Sequence, residues 1–275
     1  MKALVNLGDG GGAVEIAEVP EPEPAVSEAV VEVGAVAVNR GELRLLAARP
    51  PGWRPGQDVA GVVVRAAEDG SGPGEGTRVV AWPEQQGWAQ QVAVPTTHLA
   101  TLAPEVTFPA AAALPIAGIT ALRLLRAGGD LGGRRVLITG AAGGVGRFAV
   151  ELAAGAGGIV TGVAADSARA AGLDELGASS IVHDIEDAAG PFDLILEAVG
   201  GSSLEASIRL IGPGGRIIVF GNSSNTPAEI SFGDFRGRAG AQVTAFFVYE
   251  SGVPPTFGED LQLLADMVAD GTIHP

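Results

Sequence analysis

The spacing of apolar and polar positions changes character near residue 108. Up to about residue 100 the apolar positions fall in short runs rich in valine. These are Ala29 to Val38 (A-V-V-E-V-G-A-V-A-V), Val59 to Arg65, Thr77 to Trp82 and Ala89 to Val94. E-P-E-P, A-R-P-P-G-W-R-P-G and E-D-G-S-G-P-G-E-G-T separate them, and stretches of this kind break regular structure. The first region therefore reads as mostly β. From Phe108 the spacing becomes helical, over Ala110 to Leu114 and Ile119 to Leu125, and then the two periods alternate. Strands are expected at Val136–Thr139, Ile159–Val163, Ser180–Val182, Leu194–Glu197, Arg216–Phe220 and Val243–Val248, with helices between most of them. Such alternation implies a parallel sheet covered on both faces, with ligands outside the carboxyl ends of its strands. Near the end, Leu261, Leu264 and Val268 share one helical face of Glu259 to Ala269, and Gly271 suits a helix stop.

The chain is organised around V-L-I-T-G-A-A-G-G-V-G, Val136 to Gly146. A buried strand runs into a glycine turn, and Val145, Phe148, Ala149 and Leu152 then recur at helical spacing. Strand, tight turn and amphipathic helix form the phosphate-binding corner of a doubly wound dinucleotide fold. Glycine lets the backbone approach a pyrophosphate, and the free N–H groups at the helix start meet its charge. Aligned to G-x-G-x-x-G, Ala141 takes the place of the first glycine, leaving Gly143, Gly144, Val145 and Gly146 as the candidate cradle. The same glycines also serve plain helix–sheet packing.

Composition narrows the picture. A 275-residue chain can form two modest domains, and 47% hydrophobic residues exclude a disordered one. Asp plus Glu at 32 against Lys plus Arg at 17 gives −15, which argues against a nucleic-acid partner. With no cysteine there is no disulfide, thiolate nucleophile or cysteine-ligated zinc. The N-terminal apolar run is too short for a signal peptide and no stretch is long enough to span a membrane, so a cytoplasmic protein is expected.

The order of short motifs resembles the medium-chain dehydrogenase/reductase superfamily, in its zinc-free quinone oxidoreductase branch. They are M-K-A-L-V, E-V-P-E-P-E-P, A-V-N at Ala37 to Asn39, G-Q-D-V-A-G-V-V from Gly56, G-W-A-Q-Q-V-A-V-P from Gly87, A-A-A-L-P with G-I-T-A, A-A-G-G-V-G, L-G-A from Leu176, and G-G-R-I-I-V-F-G-N from Gly214. The resemblance implies a GroES-like β domain at 1–105, a Rossmann NAD(P)-binding domain at 106–250, and a C-terminal helix at 251–275 that starts the return to the first domain. Relatives continue past the final G-T-I-H-P, so the expectation is either a tail outside this sequence or a β domain incomplete at that return and completed through a partner.

Departures from the family carry the mechanism. Zinc-dependent relatives place a cysteine after the A-V-N strand and a histidine in G-H-E; here Arg40 follows Asn39 and the string is Gly56-Gln57-Asp58. No catalytic zinc is expected, because such a site takes three Cys, His or acidic ligands. Hydride transfer from a nicotinamide to a quinone or an α,β-unsaturated carbonyl remains, with the cofactor supplying the chemistry. The resemblance puts Asn39 beside substrate and ribose and Thr120 near the nicotinamide. It brings Val199, Gly200, Gly221, Asn222, Ser223, Phe246 and Phe247 to strand ends that hold the nicotinamide half. No proton donor is identified: Tyr249 is the only tyrosine and Lys2 the only lysine.

For the adenosine end, counting back from L-G-A puts Ala164 at the acidic ribose position and Arg169 where relatives carry a phosphate-binding lysine, which favours NADPH. Asp166 stands 20 residues after Gly146, near the spacing of a ribose-binding acid, which favours NADH. Asp166, Ser167 and Arg169 are the candidates there, with NADPH preferred and NADH possible. His98, His183 and His274 form no metal-spaced motif. A homodimer paired along Val243–Val248 is expected from the family. The rival reading is a catalytically silent NADPH-binding sensor or interaction protein of the same fold.

Overall fold

The structure, a computed structural model, describes residues 1–250 and 256–275. Two compact units result: Met1–Ile119, which takes back the C-terminal helix, and a second unit beginning at Thr120.

In unit one, β1 (Lys2–Asn6) and β2 (Val14–Glu18) form an antiparallel hairpin. β3 (Glu28–Ala37), β4 (Asp58–Arg65), β5 (Arg78–Ala81), β6 (Gln91–Pro95) and β7 (Leu99–Thr101) form an antiparallel sheet in the order β6-β3-β4-β5-β7. Alternate valines, among them Val31, Val59, Val63, Val79 and Val94, meet on its inner face, which is where the period-2 pattern places them.

One element departs from the all-strand expectation. α1 (Arg40–Ala48) leaves the end of β3, started by a capping box in which the Asn39 side chain accepts from the Glu42 N–H and the Glu42 carboxylate accepts from the Asn39 N–H. α2 (Phe108–Ala112) follows, then a single π-helical turn at Leu114–Gly118. The Phe108 ring lies so close to β3 that a Cβ on Gly34 would be 2.6 Å from it. Packing of α2 on β3, β4 and β5 carries residues 106–119 into unit one, so this compact unit runs to Ile119, past the boundary at 105 that the resemblance implies.

Unit two opens with α3 (Ile119–Gly128), then alternates β8 (Arg135–Thr139), α4 (Gly144–Gly155), β9 (Ile159–Val163), α5 (Ser167–Ala170), β10 (Ser180–Val182), β11 (Phe192–Glu197), α6 (Ser202–Leu210), β12 (Ile211–Val219) and β13 (Gln242–Ala245). All six strands are parallel, in the order β10-β9-β8-β11-β12-β13. Val136, Leu137, Ile138, Leu194, Ile195 and Leu196 have no exposed surface, because central parallel strands are covered on both faces and need unbroken apolar runs. The last strand ends at Ala245, three residues before the expected Val248, and its residues are exposed throughout. This is the doubly wound sheet expected from the alternation, and unit one is the GroES-like β unit.

α7 (Phe257–Ala269) belongs with unit one. Phe257 stacks on Trp82 with ring centroids 3.8 Å apart, Gly258 lies against the backbone carbonyls of Thr97 and Leu99, and Gln262 bonds Thr101.

Candidate functional site

Strand order reverses between β8 and β11, and a crevice opens at the carboxyl ends of such strands. The sheet gathers most of the expected residues on that one edge. Gly143 to Gly146 follow β8, Asp166 to Arg169 follow β9, Val199 and Gly200 follow β11, Gly221 to Ser223 follow β12, and Phe246 and Phe247 follow β13. Thr120 is buried in the first turn of α3, while Asn39 belongs to unit one.

Within the glycine turn the structure assigns different work to each residue. Gly140 has φ of 62°, so the left-handed turn attributed to the first glycine of the motif is made one residue before Ala141. A Cβ on Gly146 would lie 2.3 Å from the Gly140 carbonyl oxygen and 2.7 Å from the Ala141 Cα, so Gly146 is the close-packing position. Gly143 caps the 12-residue α4 without any side-chain hydrogen bond. The first-turn N–H groups of Gly144 and Val145 are thus left to face an anion, and a pyrophosphate fits this helix start.

At the end of β9, Ala164 occupies the place directly after the strand; it is buried, and its N–H is bound to the Val182 carbonyl. Asp166 lies farther on as the N-cap of α5, accepting from the Arg169 N–H at 2.9 Å. Its carboxylate is also 3.9 Å from the Arg169 guanidinium, on the surface. Ser167 is exposed beside it. Arg147, which the sequence reading passed over, reaches from α4 to the Ala171 carbonyl at 3.1 Å, so a second guanidinium flanks the same loop.

Glu197 was also missed. It ends β11 fully buried, and its carboxylate accepts from the Thr139 and Ser203 hydroxyls at 3.1 and 2.8 Å and from the Val199 and Gly200 N–H groups at 3.1 and 2.9 Å. Four donors around one carboxylate satisfy its charge away from water. The N–H groups of Val199 and Gly200 are therefore already engaged. The Ala198 and Val199 carbonyls accept from Ser223 and Ser224, which ties the β12 loop to the β11 loop, and Asn222 lies over Gly200. Phe246 is half-buried with its N–H on the Val219 carbonyl; Phe247 is 60% exposed. An acid closing an apolar strand, L-I-L-E, was the available signal.

In unit one, Asn39 is a hub. Its Nδ2 donates to Asp58 Oδ2 at 2.7 Å and to Gln57 Oε1 at 3.4 Å, while Oδ1 caps α1. Asp58 Oδ1 accepts from the Ile116 N–H at 2.7 Å, and Glu42 Oε1 accepts from the Gln57 N–H at 2.8 Å. Burial pushes Asp58 up to about 7; the Asn39 and Ile116 bonds pull the other way and the Glu42 charge adds to the rise. Burial likewise raises Glu42, against backbone bonds from Asn39, Gln57 and Gly56. The N-x-x-E spacing of Asn39 and Glu42 was the readable sign of this cluster. Among the described residues no group of three or more His, Cys, Asp and Glu is placed to hold a metal ion, and no helix is long and apolar enough to cross a membrane.

Two family models match this chain: the alcohol dehydrogenase GroES-like domain over residues 25–118 and the zinc-binding dehydrogenase over residues 144–266. The chain belongs to the medium-chain dehydrogenase/reductase superfamily, whose two domains these models describe. The spectinabilin polyketide synthase system protein NorB of Streptomyces orinoci is 33% identical over 97% of this chain, which spans 13% of that protein's length. The 2-methylene-furan-3-one reductase of Solanum lycopersicum is 32% identical over 63% of this chain and 48% of its own. The crystal structure of Escherichia coli quinone oxidoreductase complexed with NADPH shares the fold, with a TM-score of 0.87 at 22% identity over 99% of this chain and 89% of that one. The superfamily fold explains why the glycine turn, the β9 loop and the β11 and β12 loops converge on one edge of the sheet.

Proposed function

We propose that this chain is a zinc-independent NAD(P)H-dependent oxidoreductase that reduces a quinone or an α,β-unsaturated carbonyl. The observation that carries the reading is the start of α4, where Gly143 leaves the first-turn N–H groups uncapped above a glycine-packed turn at the strand-order reversal. A bound nicotinamide would supply hydride, and the protein orients it. Gly143, Gly144, Val145 and Gly146 receive the pyrophosphate. Thr120 and the loops at Val199–Gly200, Gly221–Ser223 and Phe246–Phe247 line the nicotinamide half.

NADPH is the preferred cofactor. The residue after β9 is alanine, Asp166 is turned to capping α5, and Arg169 and Arg147 supply cations at the same loop. Zinc independence rests on the donor set: there is no cysteine, and the buried amide of Gln57 stands in the place of the zinc-binding histidine. The acceptor class follows from the names of the tomato reductase and the bacterial quinone oxidoreductase. Asn39 is assigned to the acceptor and ribose side. The exposed edge of β13 is read as a pairing surface for a second copy of the chain.

The test is fluorescence titration with NADPH and NADH, followed by loss of cofactor absorbance with a quinone, a simple enone and an α,β-unsaturated thioester. Tighter binding of NADPH with turnover of one acceptor supports the reading. Binding without turnover on all three replaces it with the sensor, and no binding of either nucleotide removes the cofactor assignment.

A further inference from the structure

Asp58 and Glu42 are 2% and 0% exposed, lie on different elements, and share Asn39 and Gln57 as neighbours. Charged residues on the surrounding elements are Arg40, Glu42 and Arg44 on α1, Arg54 in the loop before β4, Arg65 at the far end of β4, and Glu84 in the loop after β5. Residues 108–118 carry none.

Both Asp58 oxygens accept a short hydrogen bond. Oδ2 faces the Asn39 Nδ2 donor and Oδ1 faces the Ile116 N–H donor, both at 2.7 Å. Protonating either oxygen turns it into a hydroxyl that accepts more weakly, so the bond from Asn39 or the bond from Ile116 loses strength. Turning the Asn39 amide over would restore the first of these bonds, but Asn39 Oδ1 would then leave the Glu42 N–H, and α1 would lose its cap. The charged carboxylate thus fixes Asn39 in one orientation, and the neutral one holds it less firmly.

We propose that Asp58 is a positioning residue that acts through Asn39: ionised, it pins the Asn39 amide and the Ile116 turn, and on protonation it loosens that hold. The like charge of Glu42 tunes this change, since two buried carboxylates close together do not readily ionise together. The step is a proton exchanged with solvent. The placing of Asn39 at the acceptor rests on the function proposed above; the control of Asn39 by Asp58 does not.

The experiment is a pH titration of the full chain by NMR, following carboxyl carbons and the Asn39 side-chain amide, on the wild type, Asp58→Asn and Glu42→Gln. The expected result is one carboxyl titrating near pH 7, with the Asn39 amide moving at the same midpoint. Asp58→Asn removes both changes, and Glu42→Gln shifts the midpoint to lower pH. Acceptor reduction then shows an acid limb in kcat with the same midpoint, absent in Asp58→Asn, at unchanged KM for the nucleotide. A wild-type titration with no carboxyl above the ordinary range, or with a stationary Asn39 amide, overturns the proposal even if neither variant folds. A moving amide with no acid limb in an active enzyme overturns the positioning role. If the chain reduces no acceptor, the functional reading fails separately, and the amide titration alone decides whether Asp58 governs Asn39.

Discussion

The Glu197 carboxylate accepts a 2.8 Å hydrogen bond from the Ser203 hydroxyl, joining the last residue of β11 to the first turn of α6. The same carboxylate holds the Val199 and Gly200 N–H groups, so a single buried charge shapes the whole turn. Glu197→Gln keeps the size but turns an NH2 group toward one of four donors. Leaving a buried donor unsatisfied costs about 1–3 kcal/mol. Urea unfolding should show that loss, with weaker nucleotide binding in fluorescence titration. Unchanged stability and affinity would mean that the turn holds without the charge.

Gly146 can be tested by adding one carbon. In Gly146→Ala the new Cβ meets the Gly140 carbonyl 2.3 Å away, so α4 must move off the sheet. Overpacking of this kind costs about 1–3 kcal/mol. Displacing the helix start should also weaken NADPH and NADH binding alike, by about tenfold or more. Equal affinities for variant and wild type would separate this turn from the cofactor.

Arg169→Ala should discriminate between the two nucleotides. A charge-assisted bond to a phosphate is worth about 1.5–3 kcal/mol, so NADPH affinity should fall by roughly tenfold or more while NADH affinity stays level. Arg147→Ala should act in the same direction. A loss of NADH affinity in Asp166→Ala, with NADPH untouched, would reverse the preference.

Asp58 gives stability a specific pH dependence. Its carboxyl is raised from 3.8 to about 7, so between those values the folded chain binds a proton that the unfolded chain has released. Its contribution to stability is full below 3.8 and is lost as pH rises through about 7. The size is on the order of a few kcal/mol. The carboxyls of Asp69, Asp234, Glu259 and Asp270, lowered by hydrogen bonds, act in the opposite direction and only at acid pH. Unfolding midpoints measured from pH 5 to 8 should therefore fall in the wild type and stay flatter in Asp58→Asn.

Phe257→Ala tests the anchoring of the C-terminal helix. The ring is nearly buried and stacks on Trp82. Such a truncation costs about 3–5 kcal/mol. Tryptophan fluorescence should shift to the red and limited proteolysis should cut within α7. A protease-resistant α7 would show that Gly258 and Gln262 suffice to dock it.

The sequence by itself determined the doubly wound sheet and the glycine corner. Buried parallel strands need unbroken apolar runs, and a helix on a sheet needs its 3.6-residue stripe; V-L-I-T, L-I-L-E and the spacing of Val145, Phe148 and Leu152 meet those needs locally. Motif order carried the superfamily, and the absence of cysteine carried the donor-set argument against zinc. Tertiary structure decided what depends on partners far apart in the chain. Asp166, at the right distance from Gly146 to be a ribose acid, is an N-cap because α5 begins directly after it. Asn39 meets Asp58, and Asp58 meets Ile116, across 19 and 58 residues. Glu197 meets Thr139 across 58. No local period encodes such encounters: which polar side chains share a buried space is set only when strands and helices pack, and there each must find a donor or acceptor that water no longer supplies.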